Sequence, residues 1–318
     1  MSETFDCLCA GIVVADHVCE PIARLPKSGE LVLTDGTTIT IGGCAANVSV
    51  DLAKLGRRAK FSGVVGADAL GDFSIKFLRN AGVGTDLSTV ADDKPTSASL
   101  IIPVYGDDRR FIHSTGANDL FSAAKIDREL FKSCRVLYLG GYCITETWPV
   151  DEVVQLFKDA QQAGVLTVFD VVIPNAGEFW GRIAPVLRYT DAFLPNNDEG
   201  EAITGLSDPL EQARRFRSAG AKEVVITCGD DGLVALSEET FQAARFEVDF
   251  VDGTGSGDAF SAGYILGLLE ERPMQERLAM GSALGASCVQ ALGATTGVFD
   301  RDQLRQFLAV NELQWSPA

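Results

Sequence analysis

The sequence predicts an α/β fold: a central, mostly parallel sheet flanked by helices, with a small β-sheet lying over the site. Three observations carry this. From Cys134 onward, short apolar β-leaning runs alternate with helix-period runs, the pattern of a parallel sheet covered on both faces. These strands end on glycine or polar residues (Gly140-Gly141, Asp170, Asn196, Gly229), and open sheets bind ligands beyond the carboxyl ends of their strands. Finally, Val251–Gly267 reads VDGTGSGDAFSAGYILG, a run of glycines and small hydroxyl residues directly before an apolar helix.

Taken in order, Phe5–Val14 is the first strand and ends at Asp16. That end places Asp16 toward a small polar ligand; a cap or turn uses the same residue equally well. His17–Asp35 is irregular. Ile41-Gly-Gly-Cys-Ala-Ala-Asn47 opens a helix that stops at Gly56. Gly42 and Gly43 leave room for something to approach the backbone. Asn47 both donates and accepts, which suits a polyol. Close helix–strand packing explains the two glycines but not Asn47.

Phe61–Val65 is a strand, and Gly66–Asp72 turns into the helix Phe73–Ala81, with Asp68 either touching ligand or shaping the turn. Thr96–Tyr105 and Arg110–Ser114 alternate around Gly106-Asp-Asp108 as a hairpin. Joined by the irregular stretch, residues 17–35 and 96–116 form a lid sheet. The main body is then 1–16, 36–95 and 117–318. Arg109 and Arg110 reach an anionic substrate group or, more commonly for a hairpin tip, solvent. Gly116-Ala-Asn118 returns the chain to the body.

The later strands are Arg135–Leu139, Val165–Phe169, Ala192–Leu194 and Glu223–Thr227, with helices over Val150–Ala163, Glu178–Arg188 and Pro209–Ala219. Asn196 and Glu199 stand three apart at a helix start. Their oxygens suit magnesium held through water, and the same pair makes a capping box. Thr227-Cys-Gly229-Asp-Asp-Gly232 is a tight turn that supports a nucleotide if a phosphate site lies beside it. Met280–Leu292 is a helix of small residues, leaving a slot for an adenine ring or for another helix.

Gly255, Ser256 and Gly257 bring no bulk, so main-chain N–H groups can crowd around an anion at the start of the next helix. Asp258, where loop becomes helix, is placed to take a proton from a substrate hydroxyl while those N–H groups hold the phosphoryl group being attacked. A helix cap alone needs fewer glycines.

The chain has 318 residues and a net charge of −17. A basic footprint for nucleic acid or an anionic membrane is absent, so any polyanion must be held by local N–H groups and a metal. The eight cysteines have no zinc-site spacing and read as buried free thiols of a reducing, cytoplasmic compartment. The N-terminus lacks a basic region before its apolar run, and no stretch is long enough to span a bilayer. There is no G-K-[ST] phosphate loop and no H-E-x-x-H zinc motif.

Along nearly its whole length the chain resembles the ribokinase-like (PfkB) carbohydrate kinases. Asp252-Gly-Thr-Gly-Ser-Gly-Asp258 is similar to that family's D-T-x-G-A-G-D signature. Gly42-Gly43-x-x-x-Asn47, Gly116-Ala-Asn118, Asn196-x-x-Glu199 and Thr227-x-Gly229-x-x-Gly232 match further motifs in the family's order. The resemblance implies transfer of the γ-phosphoryl group of ATP, with Mg2+, to a sugar hydroxyl. It makes Asp258 the base and the backbone amides of 255–258 the anion hole. It assigns Asp16, Gly42, Gly43 and Asn47 to the acceptor, and Asn196, Thr227, Gly229 and Gly232 to the nucleotide. Asp252, Thr254 and the Gly293 region match places where some relatives hold K+. It also implies a homodimer through the lid.

Four departures leave the sugar unassigned: Gly253 for the usual Thr, Cys44 for the Lys of ribokinases proper, no carboxylate at Gly140-Gly141, and no Arg after Asp170. Room for a base at Gly140-Gly141 keeps a nucleoside kinase open as the alternative. A non-catalytic ligand-binding protein would have lost Asp258 or the glycines.

Overall fold

The computed structural model describes residues 4–174 and 177–316. The first half holds β1 (Cys7–Gly11), β2 (Val14–Cys19), β3 (Thr37–Gly42), α1 (Cys44–Lys54), β4 (Ala59–Ser62), β5 (Val64–Gly66), α2 (Ala69–Asn80), β6 (Thr89–Ala91), β7 (Ala98–Val104) and β8 (Asp107–Ser114). Then come β9 (Val136–Tyr142), α3 (Val150–Gln162), β10 (Leu166–Val171), α4 (Trp180–Leu187), β11 (Ala192–Phe193), α5 (Asn197–Thr204) and α6 (Pro209–Ser218). The chain closes with β12 (Glu223–Thr227), β13 (Leu233–Leu236), β14 (Thr240–Ala243), α7 (Ser256–Leu269), α8 (Met274–Cys288), α9 (Arg301–Val310) and β15 (Trp315–Ser316).

The main sheet runs β15-β14-β13-β12-β11-β10-β9-β1-β4. It is parallel from β4 through β12 and antiparallel beyond. Its central strands β1 and β9 are buried along their whole length because helices cover both faces, and the period of two sorts the side chains. Leu8, Leu137, Phe169, Phe193 and Ile226 pack with Phe157, Ile183 and Phe216 of α3, α4 and α6. Their neighbours Cys9, Tyr138, Val168 and Val225 pack with Val48, Ile265, Leu284 and Leu304 of α1, α7, α8 and α9.

The second sheet, β3-β2-β7-β8, is the small one. Here the structure corrects the sequence reading of Phe5–Val14. The first main strand stops at Gly11, and Asp16 lies inside β2 of the small sheet. The cause is the buried side chain of Asn118, whose Oδ1 accepts from Val13 N (3.3 Å) and whose Nδ2 donates to Val13 O (2.9 Å). Val13 is thereby withdrawn from the ladder and the chain is redirected. The small sheet thus takes in Val14–Asp16 and Thr37–Gly42, which the sequence reading puts in the main body, while 23–36 carry no strand.

Other boundaries also move. Phe61–Val65 divides at Gly63 into β4 and β5, which join different sheets. α2 begins at Ala69 because Asp68 caps it, accepting from Gly71 N at 2.8 Å. α8 begins at Met274, after Pro273, and ends at Cys288. The short β14 and β15, and α9 behind its Asp300–Gln303 capping box, are additions.

Register in the small sheet divides two faces. Thr40, Asp16, Ser99 and His113 stand opposite one another in one row, and Ile39, His17, Leu100 and Ile112 in the next. Asp16 and Ser99 are buried, whereas Ile39, Leu100 and Ile112 are 44%, 48% and 62% exposed. One face therefore looks into the molecule and the other is an apolar outer surface. No helix among the described residues is long and apolar enough to cross a membrane.

Candidate active site

The start of α7 is built on Gly255, which precedes the helix at φ 79°. A Cβ there would lie 2.4 Å from the Ala294 carbonyl oxygen, so glycine is required twice over. The first helical bond runs from Ala259 N to Gly255 O at 2.8 Å. Of the four amides expected around an anion, that of Ser256 turns back to Gly253 O (3.3 Å), and its hydroxyl donates to the same oxygen (3.0 Å). The amides of Gly257 and Asp258 precede the first helical bond, where the helix dipole favours negative charge. Gly257 is exposed, and a Cβ there would meet nothing within 4 Å.

A cavity of about 680 Å³ opens before this turn. Asn196, Thr227, Gly229 and Gly232 line it together with Gly253, Ser256 and Gly257. The small-residue helix contributes both ways. Ser282, Gly285 and Ala286 face the cavity, while Gly263 of α7 meets the Met280 carbonyl of α8 without room for a side chain. A larger cavity of about 860 Å³ lies against α9, but none of the candidate catalytic, acceptor, nucleotide or metal residues lines it.

On the other side of Asp258 lies the region expected to take an acceptor. Asn47 Nδ2 donates to Asp258 Oδ2 at 2.7 Å, joining α1 to α7. Asn47 is buried, and its Oδ1 has no hydrogen-bond partner among the described residues. A buried acceptor left open in this way fits a hydroxyl donor. Gly42 is glycine because of Asp16: a Cβ would lie 2.0 Å from Asp16 Oδ2. Burial pushes the Asp16 carboxyl up to about 6; a hydrogen bond from Ser99 opposes this, and Asp258 and Asp252 add to it.

Two further residues join this point that sequence reasoning did not assign to the site. Ligand atoms of Cys44, Asp170 and Asp258 all lie within 4.8 Å of one another. Asp170 accepts from Tyr138 OH (2.7 Å) and Val171 N (2.8 Å), and burial together with Asp258 pushes its carboxyl up. Burial also raises Asp258, against hydrogen bonds from Asn47 and Cys44. Asp170 follows the apolar run Val165–Phe169, so the strand-end rule that singled out Asp16 applied to it as well.

Asn196 and Glu199 form the capping box of α5, with Glu199 N to Asn196 Oδ1 at 2.8 Å and Asn196 N to Glu199 Oε2 at 2.9 Å. Burial, then the charge of Asp170, raises the Glu199 carboxyl. Glu199, Asp170 and Asp258 thus repel one another, and positive charge brought between them would relieve this.

Asp252 and Thr254 are drawn together. Asp252 Oδ1 accepts from Thr254 N (3.0 Å) and Thr254 Oγ1 (2.8 Å), and Oδ2 accepts from Gly293 N (3.1 Å). Arg109 Nη1 also donates to Asp252 Oδ1, at 2.6 Å. Asp68 is a structural residue, tied to Thr96 as well as to α2.

Comparison with known proteins gives the class in which this mostly parallel sheet, second small sheet and glycine-lined helix start with its carboxylate fall: the carbohydrate kinases, phosphotransferases with an alcohol as acceptor. The chain belongs to the pfkB family of carbohydrate kinases, whose pattern matches residues 5–300. It is 29% identical over 283 residues to the 2-dehydro-3-deoxygluconokinase of Bacillus subtilis, covering 85% of this chain and 86% of that one. To the ribokinase of Haemophilus influenzae it is 26% identical over 308 residues, 94% and 96% of the two chains. The ribokinase of Arabidopsis thaliana, solved with ribose and ATP, superposes with a TM-score of 0.84 at 25% identity, covering 97% of this chain and 100% of that one.

Proposed function

We propose that this kinase transfers the γ-phosphoryl group of ATP to a hydroxyl of a small, neutral-to-polar sugar or sugar derivative, with Asp258 as the base. The observation that carries the reading is the placement of Asp258. Its carboxylate shares the first turn of α7 with the amides beside the 680 Å³ cavity, and it bonds Asn47 at 2.7 Å on the opposite side. Asp258 takes the hydroxyl proton as the oxygen attacks the γ-phosphorus and the bond to the β-phosphate oxygen breaks, leaving ADP. Asn47 orients Asp258 and offers its open Oδ1 to a neighbouring acceptor hydroxyl. Asp16, buried on the inner face of the small sheet, accepts from another; Gly42 leaves room for its carboxylate, whereas Gly43, at φ 90°, serves close packing, since a Cβ there would lie 2.8 Å from the Ile12 carbonyl oxygen. Asn196, Thr227, Gly229 and Gly232 border the nucleotide. Mg2+ held through water by Glu199 and Asn196 would offset phosphate charge.

A nucleoside acceptor gains no support at Gly140. The space a Cβ would occupy there is filled by Tyr138 (2.6 Å) and Cys44 (2.8 Å), so this glycine serves close packing. The test is ADP release measured with a panel of neutral sugars, sugar acids, sugar phosphates and nucleosides. Turnover with a sugar supports the reading, and turnover confined to nucleosides, or ATP binding without transfer to any alcohol, overturns it.

The small sheet is the lid of this site, and its outer face pairs two copies of the chain. Ile39, Leu100 and Ile112 form an apolar row too exposed to be indifferent to water. Sedimentation of the wild type should give a dimer, and Leu100→Lys a monomer; an unchanged dimer in the variant removes this face from the contact. The eight cysteines are free thiols, in keeping with a reducing, cytoplasmic setting.

A further inference from the structure

Arg109 belongs to β8 of the small sheet, yet its guanidinium ends on Asp252 in residues 251–257, the loop before α7 to which the proposed function gives the phosphate, here called the phosphate loop. The ion pair with Asp252 is sheltered, the two side chains being 25% and 10% exposed. Phe111 lies under the guanidinium, 5.3 Å from its ring centre. On the other side lies Gly253, where even a Cβ would only touch the guanidinium, 3.4 Å from Nη1 and 3.6 Å from Nη2. Arg109 also borders the 680 Å³ cavity beside Gly253, Ser256 and Gly257.

The carboxylate it binds is the knot of this corner. Asp252 collects donors from Thr254 in the phosphate loop, from Gly293 in the loop after α8, and from Arg109 in the hairpin. Both of its oxygens therefore already face N–H or O–H groups, and one faces a full positive charge. A K+ ion at this carboxylate would have to stand against those hydrogens and against the guanidinium. The donor set around Asp252 does not fit such an ion.

We propose that Arg109 is a positioning residue of the lid. Its bond to Asp252 makes lid closure the event that fixes the phosphate loop, and it supplies at this carboxylate the charge that a monovalent cation would otherwise bring. A partly buried charged pair holds geometry better than an exposed one, because solvent and salt screen it less. A guanidinium does this better than an ammonium, since its planar fork limits the angle at which the hairpin can dock.

The activity arm of the test rests on the phosphoryl transfer proposed above; the exchange arm does not. Hydrogen exchange is followed in the full chain for residues 98–114 and 251–257, in wild type, Arg109→Gln and Arg109→Lys. In Arg109→Gln both segments should exchange faster together, and Arg109→Lys should recover part of the protection. Wild-type protection of 251–257 should be the same in potassium chloride and in tetramethylammonium chloride. Turnover of Arg109→Gln should fall on the order of 10²-fold through kcat, with KM for ATP changed little. Loop exchange unchanged in Arg109→Gln, unchanged kcat, or loop protection that needs potassium each overturns the proposal. If wild type transfers phosphate to no alcohol, the functional reading fails, and the exchange arm alone still decides the role of Arg109.

Discussion

Asp258→Asn should retain ATP binding and lose turnover by roughly 10²–10⁴-fold, the usual cost of deleting a general base. The substitution is nearly isosteric, and the Asn47 amide at 2.7 Å can still donate to the new carboxamide oxygen. The junction between α1 and α7 therefore survives, and the loss reports chemistry instead of folding. A pH profile sharpens the test. Burial raises the Asp258 pKa, and the base works only when ionised, so wild-type kcat/KM should fall as pH drops through that raised value. The residual rate of Asp258→Asn should lack this limb. ATP affinity by calorimetry and kcat by ADP release give the two halves; near-wild-type turnover in the variant excludes Asp258 as the base.

Gly257→Ala and Gly255→Ala should part company. At position 257 a Cβ meets nothing within 4 Å, so the fold accepts alanine, and a helical alanine stabilises by ~0.5–1 kcal/mol relative to glycine. In the proposed function that Cβ enters the space before the amides that hold the phosphoryl group. Losing the use of one such donor typically costs ~10²–10³ in rate. Gly257→Ala should therefore melt no lower than wild type and turn over ~10²-fold more slowly. Gly255→Ala meets the Ala294 carbonyl oxygen at 2.4 Å from a left-handed φ of 79°, so it should lose stability along with activity. Thermal melts beside kinetics separate the two. A Gly257→Ala enzyme with unimpaired kcat places the transferred group elsewhere.

The sequence carried the main sheet because parallel strands under helices must be apolar, and their ends were marked by glycine or polar residues. It carried the start of α7 because so many glycines beside one acid have few structural uses. What it could not show was the path of the chain between the two sheets. Asp16 reads as a strand end only while Val13 is assumed to stay in the ladder, and the residue that removes Val13 lies 105 positions away, at Asn118. The partner of Arg109 was hidden for the same reason: a hairpin arginine is divided between a substrate anion and solvent until Asp252 is known to stand beside it. Cys44 and Asp170 flank Asp258 only through the meeting of α1, β10 and α7.

The two rows of the small sheet have one more consequence. Thr40, Asp16, Ser99 and His113 alternate along their strands with Ile39, His17, Leu100 and Ile112, so the sugar contact and the self-association proposed above fall on opposite sides of the same backbone. Inserting a single residue within β7 would turn the remainder of that strand over, sending its apolar side chains inward and its polar ones to the outer face. Neither surface can drift in alignment without wrecking its counterpart, which ties the tuning of specificity here to side-chain exchange at fixed positions.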